Sequence, residues 1–101
     1  MNHYSFQKGS LYKFCQPHRN SYPVFKPNAS LSELDEYLDH FGQFTEIKIP
    51  FNFILIDHKT VVDHLTGGGY LQCQIYIPEN NLYCSIFRAA DSIGKWFELI
   101  I

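Results

Sequence analysis

Methionine and tryptophan each occur once in this chain, and cysteine occurs three times. An odd, low cysteine count argues against a disulfide framework. Cys15, Cys73 and Cys84 are therefore expected as free thiols in a reducing compartment. Basic runs are missing as well. The densest positive stretch only scatters Lys8, Lys13, Arg19 and Lys26, and the net charge is −2. Nucleic-acid binders concentrate cations on one face to neutralise phosphates, so a nucleic-acid partner is disfavoured. No apolar run approaches the ~20 residues of a membrane-spanning helix. The first residues carry no apolar targeting segment. No repeat of intermediate period recurs. These absences lead to the expectation of a cytoplasmic protein with no membrane association and no resident cofactor.

What is present is apolar and aromatic. The 101 residues are 46% hydrophobic and 17% aromatic, with seven Tyr and nine Phe. That length suits a single domain, residues 1–101, with one core. The aromatics exceed what a core of this size hides, and exposed apolar patches commonly mark partner sites.

Elements follow from periodicity and punctuation. Residues 10–15 form a first strand, and 16–21 a turn. Residues 22–26 form a short edge strand, because Pro23 cannot donate to a central ladder. A helix is predicted over residues 30–41. Ser30 and Glu33 make a capping box, Leu31, Leu34, Leu38 and Phe41 form one apolar stripe, and Gly42 stops it. Residues 44–49 alternate weakly up to Pro50. Residues 51–56 are nearly continuous apolar, which suggests a strand buried on both faces or covered by the helix. Residues 59–69 read as a connection.

Residues 70–77 alternate cleanly, Pro78–Asn81 is a turn, and 82–88 is the return strand. Pairing Ile77 with Leu82 places Tyr76 opposite Tyr83, Gln74 opposite Ser85, and Gln72 opposite Phe87. Leu71, Cys73, Ile75 and Ile77 then line an aliphatic face. Cys73 and Cys84 become diagonal neighbours, a geometry that disfavours a disulfide. Residues 95–101 form a last strand. The fold class is mainly β, a β-rich α+β chain of five to six strands with one short helix. Closure into a small, partly open barrel protects its edges.

Several residue groups invite a chemical reading. Asp57-His58 and Asp63-His64 repeat one doublet, with five residues between the two imidazoles. That spacing falls within the range of zinc ligands, so a metal-binding protein or metal-dependent enzyme is the alternative reading. No cysteine pair stands nearby. The preferred reading makes Asp57 the end of a strand and Asp63 a turn cap, with Gly67-Gly68-Gly69 as a hinge. Cys15 and His18 could form a nucleophile pair only if a third group oriented them. Glu33, Asp35, Glu36 and Asp39 read as a solvated helix face. The aromatic-polar face of Tyr70, Gln72, Gln74, Tyr76, Tyr83 and Phe87 suits a protein or peptide surface, unless another segment covers it.

The strand plan resembles an SH3-like barrel. GSLYKFCQPHRNSYPVFK is similar to a first strand and long loop, FNFILID to a middle strand, YLQCQIYIPENNLYCSIFR to the hairpin, and AADSIGKWFELI to the closing turn and strand. The same combination resembles small barrel proteins of marine tailed phages. The resemblance implies an SH3-like barrel and a phage-encoded accessory protein, placed in host cytoplasm or in the virion. SH3 domains that bind proline-rich ligands open their hairpin with tryptophan. Here the single tryptophan is Trp96 and the hairpin opens at Tyr70, so that ligand class is not carried over. The expected function is a non-enzymatic interaction module that contacts a protein partner or its own copy through the aromatic face and the 57–69 segment.

Overall fold

A computed structural model describes residues 7–16, 19–30, 44–62, 67–89 and 96–100. The chain is mainly β. Strands β1 (Leu11–Phe14), β2 (Ser21–Val24), β3 (Thr45–Lys48) and β4 (Phe51–Val62) are followed by β5 (Gly69–Ile77). A 3₁₀ turn at Pro78–Asn80 leads to β6 (Leu82–Ala89), and β7 (Phe97–Leu99) comes last. One sheet has the order β6-β5-β4-β1-β7, and β2 pairs with β3 in a second. All pairings are antiparallel. The helix predicted over 30–41 lies outside the described residues, apart from Ser30, which is coil.

The two sheets share one core. Phe14, Phe53, Leu55, Ile75, Ile77 and Ile86 from the larger sheet pack with Tyr22, Val24 and Ile47 from the smaller. Phe14 is the hub: its ring stacks on Phe51 at 5.2 Å and meets Tyr22 at 4.7 Å and Phe97 at 5.5 Å. Those contacts join β1 to β4, β2 and β7.

Among the described residues, a single bridge closes one seam between the sheets. Phe25 N–H donates to the Ser85 carbonyl, and Ser85 N–H donates back to Phe25, both at 2.8 Å. Continuing that pairing would oppose Pro23 to Phe87 and Pro27 to Tyr83. Neither proline has an N–H to give, so the ladder stops after one residue pair. This agrees with the edge-strand reading of residues 22–26. Among the described residues β2 forms a ladder only with β3, and Pro23 is tolerated because its nitrogen faces the side where no ladder forms. Among the described residues no ladder joins β7 to β3, so the barrel is partly open.

The Tyr22 hydroxyl replaces the donor that Pro23 lacks. It donates to the Phe87 carbonyl at 2.9 Å and accepts from Arg88 Nη1 at 3.0 Å. The Arg88 guanidinium also lies over the rings of Tyr22 and Trp96, at 5.4 and 5.7 Å. Tyr22→Phe removes the hydroxyl and leaves a buried carbonyl unpaired. The expected loss is about 1–3 kcal/mol by urea denaturation; a change under about 0.5 kcal/mol would refute the capping role.

The structure makes a correction at residues 57–62. These continue β4 instead of forming a loop: Lys59 pairs with Gln72, Thr60 with Leu71, and Val62 with Gly69. The register slips between Leu55 and Asp57, so Ile56 is the extra residue of a bulge. β4 is also buried on one face only over residues 51–55, where Phe51, Phe53 and Leu55 point inward and Asn52 outward. Ile56 is exposed. Its apolar side chain extended an apparently continuous buried run, and the polar residues after it looked like a strand end.

Candidate functional site

The β5–β6 hairpin has the register its alternation predicts. Ile77 pairs with Leu82, Tyr76 with Tyr83, Gln74 with Ser85, and Gln72 with Phe87. The turn closes because Asn81 takes a left-handed conformation (φ 48°) and donates its N–H to the Pro78 carbonyl at 3.1 Å. Asparagine tolerates that region better than most residues with a side chain. Cys73 and Cys84 lie on the buried aliphatic face as free thiols. Burial without a charged partner pushes both thiols up to about 12.

The opposite face is divided by a strap, residues 25–29, which crosses it. The Gln72 amide donates to the Ala29 carbonyl. The Gln74 side-chain oxygen accepts from Asn28 N–H at 2.8 Å, and the Ser85 hydroxyl donates to the Lys26 carbonyl at 2.7 Å. Phe25 meets Phe87 edge-on at 5.5 Å, and Ala29 joins their small cluster. Gln72 and Phe87 are consequently buried. Of the six residues of the aromatic-polar face, Gln72 and Phe87 hold the strap and Gln74 is half-buried beneath it.

Tyr70 and Tyr76 are half-buried, and Tyr83 is 61% exposed. Tyr76 and Tyr83 face each other across the strands with ring centroids 4.5 Å apart. The Tyr76 hydroxyl donates to the Asn81 side chain at 2.7 Å, which fixes the ring. Beside Tyr83 opens a groove of about 320 Å³ between the strap, the start of β3 and the start of β6. Phe25, Phe44, Leu82 and Tyr83 supply most of its apolar wall, and Lys26 is the one charged lining residue. Phe44 is 41% exposed. The sequence reading missed Lys26, Pro27 and Phe44. Glutamines alternating with apolar residues in a strand were the available signal, because a buried amide needs a main-chain partner.

Of the two Asp-His doublets, only Asp57-His58 lies within the described residues. Asp57 and His58 are consecutive strand residues, so their side chains leave on opposite faces. Asp57 instead binds Lys8 Nζ at 2.9 Å and accepts from the His58 N–H at 2.9 Å. Those contacts, the Lys8 bond foremost, hold its carboxyl below the usual range. Their contribution is present at neutral pH and is lost on acidification through that lowered value. Asp63 and His64 lie outside the described residues, as do His18 and the acidic positions 33, 35, 36 and 39. Among the described residues no group of three or more metal-ligating side chains comes together, and no helix is long and apolar enough to cross a membrane.

The fold and this surface define a small, mainly β domain with an open aromatic groove beside one hairpin. No protein-family model, curated protein or solved structure matches the chain significantly. The resemblance to SH3-like barrels therefore carries no part of the functional argument below.

Proposed function

We propose that this domain is a non-catalytic protein-interaction module whose partner docks on the Tyr76–Tyr83 end of the hairpin and the adjoining groove. One observation carries the reading. Tyr83 stands 61% exposed on a ring pair held rigid by Asn81, at the rim of an apolar groove that also exposes Phe44. A tyrosine fixed in place presents a large amphipathic area at little entropic cost, which suits the anchor of an interface. The proposal includes a reducing, cytoplasmic setting, supported by two buried free thiols on adjacent strands.

The test is comparative capture from an extract of the native host, using the protein and a Tyr83→Asp/Phe44→Asp variant. Both substitutions are at exposed positions, where stability changes by about 0.5 kcal/mol or less. A partner retained by the unaltered protein and lost by the variant is expected. Identical retention by both would remove the basis for the reading.

A further inference from the structure

We infer that the outer face of the larger sheet carries a second site, which binds a free basic amino acid, lysine or arginine, through all three of its charges. The site lies apart from the Tyr76–Tyr83 surface and goes beyond the interaction reading above.

Strand register assembles it. Lys13 on β1 has Asn52 opposite it on β4 and Glu98 opposite it on β7. Tyr12 and Phe14 are buried, so Lys13 between them points away from the core, and Asn52 and Glu98 share its face. Glu79, in the 3₁₀ turn after β5, stands beyond Asn52, because β5 lies on the far side of β4 from β1. These four side chains line an open cleft of about 580 Å³, with Pro50 and Ile100 among its apolar residues. The backbone beneath is fixed before anything binds. β1 has a ladder on each side, and the Asn81 N–H closes the turn onto the Pro78 carbonyl. Groups mounted on such a frame hold their positions better than groups on a loop.

The charges of the cleft do not neutralise one another. Lys13 and Glu98 are directly opposed, yet among the described residues none of Lys13, Glu79 and Glu98 makes an ion pair. The cleft thus offers one ammonium and two carboxylates. Its electrostatic complement is a molecule with one carboxylate and two cations. A divalent cation would meet the Lys13 ammonium, and a phosphate would meet both carboxylates. A neutral amino acid would leave one carboxylate unused. A free basic amino acid matches every group. Its carboxylate and α-ammonium share one carbon, as Lys13 and Glu98 share one cross-strand pair. Its side chain then runs over Asn52 and delivers its cation to Glu79. A lysine or arginine within a polypeptide has lost at least one of the terminal charges, so the match specifies the free molecule.

The experiment is an amide NMR titration of the whole protein at constant ionic strength. The probes are L-lysine, L-arginine, L-norleucine, Nα-acetyl-lysine and lysinamide. Lysine and arginine should give saturable shifts at Lys13, Asn52, Glu79 and Glu98, with a Kd on the order of 1 mM, as suits a few exposed ion pairs. Norleucine, Nα-acetyl-lysine and lysinamide each lack one charge and should bind roughly two- to fivefold more weakly. Glu79→Gln should weaken lysine by the same factor and leave norleucine unchanged. Lys13→Gln should erase the difference between lysine and lysinamide. Both substitutions are on the solvent face, and the spectrum itself reports whether each variant is folded. Equal affinity for lysine and norleucine overturns the inference, as do lysine shifts that fail to saturate. Nα-Acetyl-lysine or lysinamide binding as tightly as lysine also overturns it, and assigns the cleft to a chain end instead. None of these outcomes touches the Tyr83 reading, which the capture experiment judges alone.

Discussion

Truncation of Phe14 to alanine is expected to cost about 3–5 kcal/mol, the range for removing a buried phenylalanine from a packed core. The side chain is fully buried and touches aromatic rings from three other strands, including Tyr22 of the second sheet. No neighbour can collapse into the space without giving up its own ring contacts, so the cavity term adds to the lost transfer energy. Domains of this size have about 5–15 kcal/mol in total, and the variant should be close to unfolding. Urea denaturation of Phe14→Ala and Phe14→Leu measures this, the leucine variant serving as the milder, folded comparison. A loss below about 1.5 kcal/mol for alanine would show that the two sheets do not depend on this residue.

The second large effect is alkaline. Cys73 and Cys84 hold their protons up to about 12 in the folded chain, against an ordinary 9.0. Between those values the unfolded chain has lost these protons while the folded chain keeps them. Unfolding then releases protons, so stability is complete below about pH 9 and falls as pH rises toward 12. Each thiol contributes a slope of about 1.4 kcal/mol per pH unit. At pH 10.5 the pair should have removed roughly 4 kcal/mol. The measurement compares urea midpoints from pH 7.5 to 10.5 for the unaltered protein and a Cys73→Ala/Cys84→Ala variant. Other groups titrate in both proteins, so the difference in slope isolates the thiols. Equal slopes would mean that these cysteines are not desolvated in the fold.

Local pattern carried the hairpin through to the structure. Residues 70–88 alternate without interruption around a turn of fixed length, and sliding the register by one residue would expose Leu71, Cys73, Ile75 and Ile77 together. The pairing and the diagonal thiols follow from that alone. β1 and β7 were legible for a similar reason, as short apolar stretches between turn residues, whereas β3 showed only as a weak alternation over residues 44–49. β4 was not legible past Ile56. Its bulge shifts the alternation there, and Asp57, Lys59 and Thr60 are exposed, with His58 half-buried, on a ladder that β5 supplies from across the turn.

The candidate site was half legible. Its aromatic content was visible in Tyr76 and Tyr83, but its boundary was not. Gln72 and Gln74 find their partners at Ala29 and Asn28, more than forty positions away. Nothing local in PNAS at 27–30 shows that this stretch crosses a sheet face.

Composition and period alone determined that this chain is a β domain with free thiols and one well-registered hairpin, because side-chain alternation and turn chemistry act between near neighbours. Tertiary structure alone decided which aromatic residues stay open. That outcome depends on where Pro23 and Pro27 fall against β6: a missing N–H has a consequence only once another strand lies opposite it.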